Sequence, residues 1–164
     1  MFCCEYISPL GSIWLASNKE YLTNLWFAGQ RHAPQVTGTA PTPLPQPMHL
    51  AIQWLEQYFN GRNPTPSTIP IAPNGSEFQK KVWQELLRIP YGETISYKTL
   101  SERIDCKSAQ AIGGAVGRNP ISLIIPCHRV IAHDGTLGGY AAGTDLKRQL
   151  LENEHIKYLL TPNS

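Results

Sequence analysis

Short runs of apolar residues with polar residues between them open the chain and predict three β-strands. Turn-forming residues such as Gly11 and Asn18 separate the runs, so the simplest arrangement is an antiparallel meander. Over 48–60 the apolar residues recur at helical spacing, which predicts a helix that stops at Gly61. The predicted strands cover 2–7, 12–17 and 22–27.

Helical spacing dominates after residue 75, where the pattern predicts three helices in succession. Ser76 and Gln79 have the spacing of a capping box, and an apolar stripe follows them until Pro90. Ser96 and Ser108 are placed to cap two further helices, which extend to about residues 104 and 117.

A strand, a hairpin and a last helix are expected beyond the third helix. The apolar run 121–125 predicts a buried strand, and Asp134-Gly135 is a strong hairpin signal. Thr144 then caps a helix that reaches about Glu154. Three helices followed by a hairpin is the order of a winged-helix domain.

Prolines mark the boundary between the two halves of the chain. Nine of the fourteen prolines lie from Pro34 to Pro73, in two clusters. We therefore expect an α+β fold with two subdomains. A small N-terminal α/β subdomain with a Pro-rich linker occupies 1–75, and a winged-helix-like subdomain occupies 76–164.

Composition excludes several classes of protein. The 164 residues are 41% hydrophobic, which is enough for a packed core, and the net charge of +2 does not by itself indicate a nucleic-acid partner. No apolar run is long enough to span a membrane, and the N-terminus lacks the pattern of a signal peptide. Four cysteines without a CxxC motif argue against a disulfide scaffold and leave any zinc site at Cys3-Cys4 incomplete. We expect a cytoplasmic protein with free thiols and no bound metal.

The third predicted helix is unusually rich in small residues. Six of the nine residues from Ala109 to Gly117 are glycine or alanine, although each interior glycine costs a helix about 1 kcal/mol relative to alanine. Tight packing against another helix is one explanation. The other is a thin helix that approaches a ligand closely, for example in a DNA groove.

A proline, a cysteine, a histidine and an arginine follow one another at 126–129, and this cluster is the strongest candidate for catalysis. A buried cysteine is ordinarily a small core residue, but a nearby base or cation lowers the pKa of a thiol and makes it a nucleophile. On a regular strand Cys127 and His128 would point to opposite faces. Either a turn at Pro126 brings them together, or a water molecule bridges them.

The run Ile124–Val130, with Gly117–Pro120 before it, resembles the active-site signature of the O6-alkylguanine-DNA alkyltransferases. Residues 1–75 are similar only in outline to the ribonuclease-H-like α/β cap of that family. The resemblance spans nearly all of 76–156, and its other matches are Phe78–Trp83, Pro90–Gly92, Ser96-Tyr97, Ala109–Gly114, Gly138–Tyr140 and Leu150–Glu154.

This resemblance implies catalytic roles for five residues. Cys127 matches the nucleophile that takes the alkyl group, and His128 matches the base that deprotonates it through a water molecule. Glu154 matches the carboxylate that orients the histidine, and Asn119 matches the residue that holds the turn beside the thiol. Tyr97 matches the tyrosine that crowds the DNA phosphate and assists proton transfer to the departing guanine.

The resemblance also implies a DNA-binding side. The family's recognition helix presents an arginine that fills the space of the flipped nucleotide, and Gln110 takes that position here. Tyr140 is expected near the flipped base, and Ala142 stands where relatives have glycine. The residues expected to contact DNA or the substrate base are Tyr97, Ala109, Gln110, Ala111, Gly113, Arg118, Arg129, Tyr140, Ala141 and Ala142.

The implied function is DNA repair by one irreversible transfer per molecule. The alkyl group of O6-alkylguanine, and also of O4-alkylthymine, would move to Cys127 without a cofactor. The implied partner is double-stranded DNA, bound through the minor groove by a monomer with no sequence preference. Two other classes stay open at this point: a thiol hydrolase, which would need an oxyanion hole, and a non-catalytic winged-helix DNA-binding protein, which would not need the cysteine.

Overall fold

The computed structural model describes residues 1–159, which form two units. The first unit comprises Met1–Asn74 together with Pro120–Ser122, and the second comprises Gly75–Asn119 and the chain from Leu123 onward. The sequence pattern contains no sign that three residues from the second half return to the first unit.

The first unit is a three-stranded antiparallel sheet covered by one long helix. Strands β1 (Phe2–Ser8), β2 (Gly11–Ser17) and β3 (Leu22–Phe27) lie in the order β1-β2-β3, as predicted. Helix α1 (Gln46–Phe59) contacts all three strands. It begins two residues earlier than predicted because Pro47 is tolerated in the first turn, where its missing N–H leaves no hydrogen bond unmade.

The adjacent cysteines of β1 lie in different environments. Cys3 is buried in a cluster with Ala16 and Trp26, whereas Cys4 is half-buried. Within residues 1–159 no group of three His, Cys, Asp or Glu side chains is arranged to hold a metal ion. None of the helices in this range is long and apolar enough to cross a bilayer.

In the second unit, the residues up to 159 form four α-helices and a two-stranded parallel sheet. Helices α2 (Glu77–Leu86), α3 (Tyr97–Ile104) and α4 (Ala109–Gly117) contact one another, and α5 (Thr144–Asn153) follows later in the chain. The capping box is confirmed, because Ser76 Oγ accepts from the Gln79 N–H and Gln79 Oε1 accepts from the Ser76 N–H. The strands are β4 (Ile95–Ser96) and β5 (Val130–Ile131).

The strand predicted over 121–125 is wrong, although every residue of the run is buried. Ile121 forms a single bridge with Leu25 of β3, and Leu123 then adopts a left-handed backbone with φ 69°. A left-handed residue reverses the chain direction and ends any extended ladder. Burial therefore explains the apolar composition of this run, which does not form a strand.

The expected hairpin forms only as a turn. The Ala132 and Thr136 backbones are joined by a hydrogen bond around Asp134-Gly135, but β5 pairs in parallel with β4 and not with a returning hairpin strand. Thr144 is also not a cap. Gly143, with φ 100°, occupies the N-cap position, and Thr144 is the first helical residue.

Candidate active site

Cys127 lies in a single turn of 3-10 helix that spans Cys127–Arg129 and follows Pro126. A 3-10 helix has about three residues per turn, so successive side chains are not held on opposite faces as they would be on a strand. The turn after Pro126 therefore replaces the strand geometry that would have placed Cys127 and His128 on opposite faces. Cys127 is 4% exposed, and the side chain of His128 is fully buried.

Glu154 is the anchor of this turn. Its carboxylate accepts from His128 Nε2 at 2.5 Å, from Arg129 Nε at 2.8 Å and from the Gly92 backbone N–H at 3.2 Å. Burial opposes ionisation of Glu154, but the hydrogen bond from His128 and the charge and hydrogen bond of Arg129 outweigh it and lower the pKa to about 2. Glu154 is therefore ionised at neutral pH. It stands at the C-cap of α5, one residue beyond the helix.

The imidazole of His128 is neutral and can accept a proton. Burial lowers the pKa of its imidazole despite the opposing effect of Glu154, so the ring is neutral at pH 7. Because Nε2 faces the carboxylate it carries the proton, and Nδ1 is left as an acceptor. Within residues 1–159 the buried Nδ1 has no hydrogen-bond partner, so the ring makes no direct hydrogen bond to Cys127.

Opposing effects set the acidity of the Cys127 thiol. Burial raises the pKa, whereas a hydrogen bond from Asn119, the positive charge of Lys147 and a hydrogen bond from Tyr140 lower it. Burial is the largest effect, so the thiol is protonated at rest and needs a base to become a thiolate. The site thus contains both a protonated nucleophile and a neutral imidazole.

Asn119 holds the chain that leads to the nucleophile. Its amide Nδ2 donates to the carbonyl of Ile125 at 2.7 Å, which closes the loop 119–125 on itself. That loop contains Leu123, whose left-handed conformation costs a non-glycine residue about 1–3 kcal/mol. Asn119 therefore stabilises a strained turn and also contacts the thiol.

Lys147 is a site residue that the sequence reasoning missed. It is fully buried, and its Nζ donates to the carbonyls of Val130 at 2.6 Å and Gly139 at 3.0 Å. The ammonium lies 5.9 Å from the centre of the Tyr97 ring. Burial lowers the pKa of Lys147 to about 8, which leaves it charged at neutral pH. The sequence did contain a signal for this residue, because Lys147 lies at helical spacing from Leu150 and Leu151 and shares the buried stripe of α5 with them.

Removing the charge of Lys147 is expected to raise the pKa of Cys127 and slow its reaction. In Lys147→Gln the amide can still donate to the backbone, but the cation that lowers the thiol pKa is lost. We expect alkylation of Cys127 at pH 7 to be about tenfold slower, with the rate–pH curve moved to higher pH. Single-turnover rates between pH 6 and 10 would measure this. A rate–pH curve with an unchanged midpoint would show that the charge of Lys147 does not lower the pKa of Cys127.

Tyr97 is the first residue of α3 and is half-buried near Cys127 and Lys147. Burial, with the negative charge of a Cys127 thiolate, raises its pKa to about 12. The phenol therefore keeps its proton throughout the physiological range and is available as a donor. Tyr140 is 8% exposed, and the half-buried Ala141 and Ala142 follow it.

Most of the small residues of α4 are exposed or half-buried. Ala109, Gln110, Gly113 and the C-cap residue Arg118 are exposed, and Ala111 is half-buried. A Cβ atom added at Gly113, Gly114 or Gly117 would meet no atom within 4 Å among the residues described. Tight packing therefore does not explain these glycines. The helix packs through its other side, with Ile112, Ala115 and Val116.

Arg129, which was expected among the DNA-contact residues, points into its own unit. It is 7% exposed, and its guanidinium donates to Glu154 and to the Ile89 carbonyl at 2.8 Å each. The same group lies 5.8 Å from the centre of the Tyr91 ring. Its charge is thus used inside the unit, where it stabilises the Glu154 carboxylate.

A cleft of about 340 Å³ joins Tyr97 to the start of α4. Apolar side chains form much of its wall, while two lysines and a histidine provide polar or basic groups. The residues that line it include Tyr97, Lys98, Lys107, Ala109, Ile112 and His133.

Both units match models of one known protein family. A family model described as the 6-O-methylguanine DNA methyltransferase, DNA binding domain, matches residues 77–156, and the ribonuclease-like domain of the same family matches residues 1–73. The methylated-DNA–protein-cysteine methyltransferase of Haemophilus influenzae is 43% identical over 162 residues, which are 97% of this chain and 89% of the relative. The protein of that name from Mycobacterium tuberculosis (strain ATCC 25618 / H37Rv) is 43% identical over 148 residues, 90% of this chain and 88% of the relative.

Solved structures agree with these matches. The crystal structure of Mycobacterium tuberculosis OGT in complex with DNA superposes with a TM-score of 0.84 at 38% identity, covering 94% of this chain and 92% of that one. The O6-methylguanine-DNA methyltransferase of Pyrococcus kodakaraensis shares the fold, with a TM-score of 0.67 at 23% identity. The chain belongs to the 6-O-methylguanine DNA methyltransferase family. The predicted α+β class, with a small sheet domain followed by a helical domain, is confirmed.

Proposed function

We propose that the protein repairs DNA by transferring the alkyl group of O6-alkylguanine irreversibly to Cys127. The observation that carries this proposal is the buried thiol next to a neutral imidazole that is itself held by an ionised carboxylate. The relatives named above are methyltransferases that act on methylated DNA and a protein cysteine, which supports the same substrate and acceptor here.

The reaction needs a proton acceptor, a nucleophile and a proton donor, and the site contains all three. A water molecule between Cys127 and His128 Nδ1 carries the thiol proton to the imidazole, and Glu154 stabilises the imidazolium that forms. The thiolate attacks the alkyl carbon as the bond to O6 breaks, and the electron pair stays with the guanine. Tyr97 donates a proton to the leaving guanine and regains one, so the thiol proton is balanced by the proton on guanine. The thioether product is stable, so each molecule reacts once.

DNA is proposed to bind against the exposed face of α4. Glycines with open space above them allow a backbone or base to approach closely, and Arg118 and Lys107 supply positive charge. O6 is inaccessible inside a duplex, so the nucleotide must be flipped out to reach Cys127. With a net charge of only +2, binding is expected to be loose and independent of sequence. The family resemblance implies that the protein approaches DNA through the minor groove.

We also propose that the protein acts as a monomer in the cytoplasm. Each unit has its own buried core, and four cysteines without a disulfide framework suit a reducing compartment. Sedimentation of the protein alone and with a short duplex would measure the stoichiometry.

A duplex with a single O6-methylguanine separates this function from its two rivals. We expect a mass gain of one methyl group per protein molecule, with no further turnover when DNA is in excess. A thiol hydrolase would turn over an activated ester, and a non-catalytic DNA-binding protein would bind the duplex without a change in mass. A second duplex with O4-methylthymine tests the broader substrate range in the same way.

Gln110 occupies the position where the resemblance places an intercalating arginine. A glutamine amide can hydrogen-bond to the orphaned base, but it lacks the charge and the stacking of a guanidinium. Flipping is therefore expected to limit repair of duplex DNA. We expect Gln110→Arg to speed repair of the duplex about fivefold and to leave reaction with the free alkylated base unchanged.

Gln84→Arg is the matched control, because it adds the same charge on the exposed side of α2. Single-turnover rates with duplex and with free base measure the effect. Equal acceleration of both substrates, or equal effects of the two substitutions, would show that Gln110 does not limit flipping.

Ala142 is expected to restrict the size of the adduct. The residue follows Tyr140 and Ala141 and carries a methyl group where relatives have glycine, which narrows the space available to a bulky alkyl group. Methyl transfer should therefore be much faster than benzyl transfer, and Ala142→Gly should raise the benzyl rate about tenfold relative to the methyl rate. The rate of methyl transfer in each variant is the control for its rate of benzyl transfer. An unchanged ratio would contradict the assignment.

A further inference from the structure

The loop before the nucleophile is held by the first unit. Pro120–Ser122 belongs to that unit, although Asn119 and Leu123 on either side belong to the second. The Pro120 carbonyl accepts from the Leu25 N–H, and the Ser122 N–H donates to the Leu25 carbonyl, each at 2.9 Å. Two backbone hydrogen bonds to Leu25 thus attach this part of the active-site loop to the edge strand β3.

A buried glutamine makes the side-chain contact to this loop. Gln30 Oε1 accepts from Ser122 Oγ at 3.2 Å and from the Phe27 backbone N–H at 3.1 Å. Gln30 is 9% exposed and Ser122 is 1% exposed, so neither bond is easily replaced by water. The two accepted bonds use both lone pairs of the amide oxygen, and Gln30 therefore connects the end of β3 to the loop.

We propose that Gln30 is a positioning residue for alkyl transfer, acting through Ser122 on the loop that carries Cys127; this inference rests on the proposed function. Ser122 is separated from Pro126 by only three residues, among them the left-handed Leu123 and Ile125, whose carbonyl binds Asn119. A displacement of Ser122 is therefore transmitted along a short and strained segment to the turn at Pro126.

The consequence for chemistry is a change in the surroundings of the thiol. The pKa of Cys127 is lowered by its neighbours Asn119, Lys147 and Tyr140, and each of these effects depends on where the turn lies. Loss of the Gln30–Ser122 bond should leave Lys147 and Tyr140 in place and move the sulfur relative to them. The thiol should then react more slowly and become less acidic.

Two variants remove the bond from opposite ends. Ser122→Ala deletes the donor and leaves the bond from the Phe27 N–H intact, whereas Gln30→Met keeps the length of the side chain and deletes the acceptor. We expect each variant to alkylate Cys127 about fivefold more slowly, with a higher apparent pKa of the thiol. The double variant should be no slower than the slower single variant, because both remove one interaction. Gln30→Glu, which restores the acceptor oxygen, should recover part of the rate.

Ser17→Ala is the control, since Ser17 is equally buried in the first unit and its hydroxyl has no hydrogen-bond partner among residues 1–159. All variants are compared by urea unfolding, and Cys127 is alkylated in two ways, by methylated duplex and by iodoacetamide with peptide mapping. Unchanged rates and unchanged pH profiles in Ser122→Ala and Gln30→Met would overturn the proposal. So would slowing that follows the loss of stability in every variant, Ser17→Ala included. If iodoacetamide alkylates Cys127 but the methylated duplex transfers no methyl group, the proposed function fails. The iodoacetamide rates of the variants then still show whether Gln30 positions the thiol.

Discussion

Cys127→Ser is expected to abolish alkyl transfer, with a fall in rate of at least about 10³-fold. A serine hydroxyl is a far weaker acid than a thiol, so the imidazole of His128 cannot convert enough of it to the nucleophilic anion. In the wild-type protein, one methyl group should be found on Cys127 and none on Cys3, Cys4 or Cys106. Peptide mapping after reaction with methylated duplex measures this directly.

Cys106→Ser provides the matched control. Cys106 is a half-buried free thiol in the same unit as Cys127, but its only recorded hydrogen bond among the residues described is to the Ser108 carbonyl. This variant should react as fast as the wild type. A methyl group on any other cysteine, or repair by Cys127→Ser, would be incompatible with the assigned nucleophile.

Glu154→Gln is expected to slow transfer about 100-fold while DNA binding stays nearly intact. An amide in place of the carboxylate no longer stabilises the imidazolium of His128, so the proton leaves Cys127 less readily. The apparent pKa of the thiol should rise, and the rate–pH curve should move to higher pH. The free energy of unfolding should also fall, because the buried Arg129 loses its counter-charge.

Glu152→Gln tests whether that effect is specific. Glu152 is an exposed carboxylate in the last turn of α5, and its partners are Tyr158 and Arg148. We expect it to leave the rate and its pH dependence unchanged. If Glu154→Gln loses stability but keeps the wild-type pH profile, Glu154 has a structural role and does not take part in proton transfer.

Features that depend on neighbours in sequence could be predicted without the structure. The three strands of the meander, the Ser76 capping box and the caps at Ser96 and Ser108 are confirmed. Each is defined by residues no more than a few positions apart, so the local pattern contains the interaction itself. The family was also recognisable, because the motif around Cys127 is contiguous.

Where a single residue overrides the pattern, prediction from sequence failed. The apolar run 121–125 has the composition of a strand, yet Leu123 turns the chain. Thr144 has a capping side chain, yet Gly143 with its positive φ takes the N-cap position. In both cases one residue with a positive φ sets the local backbone, and the composition of the neighbouring residues does not reveal it.

The sequence alone therefore determined the helices and strands with strong local signals and the family, and it singled out Cys127 as the candidate nucleophile. Only the tertiary structure decided how the charges and loops around that cysteine are used. It buries Lys147 beside the thiol, turns Arg129 inward to Glu154, leaves the α4 glycines facing open space, and joins Gln30 to Ser122 across 92 positions. The physical reason is that electrostatic effects and burial depend on distance in space, which residues far apart in the chain reveal only after folding.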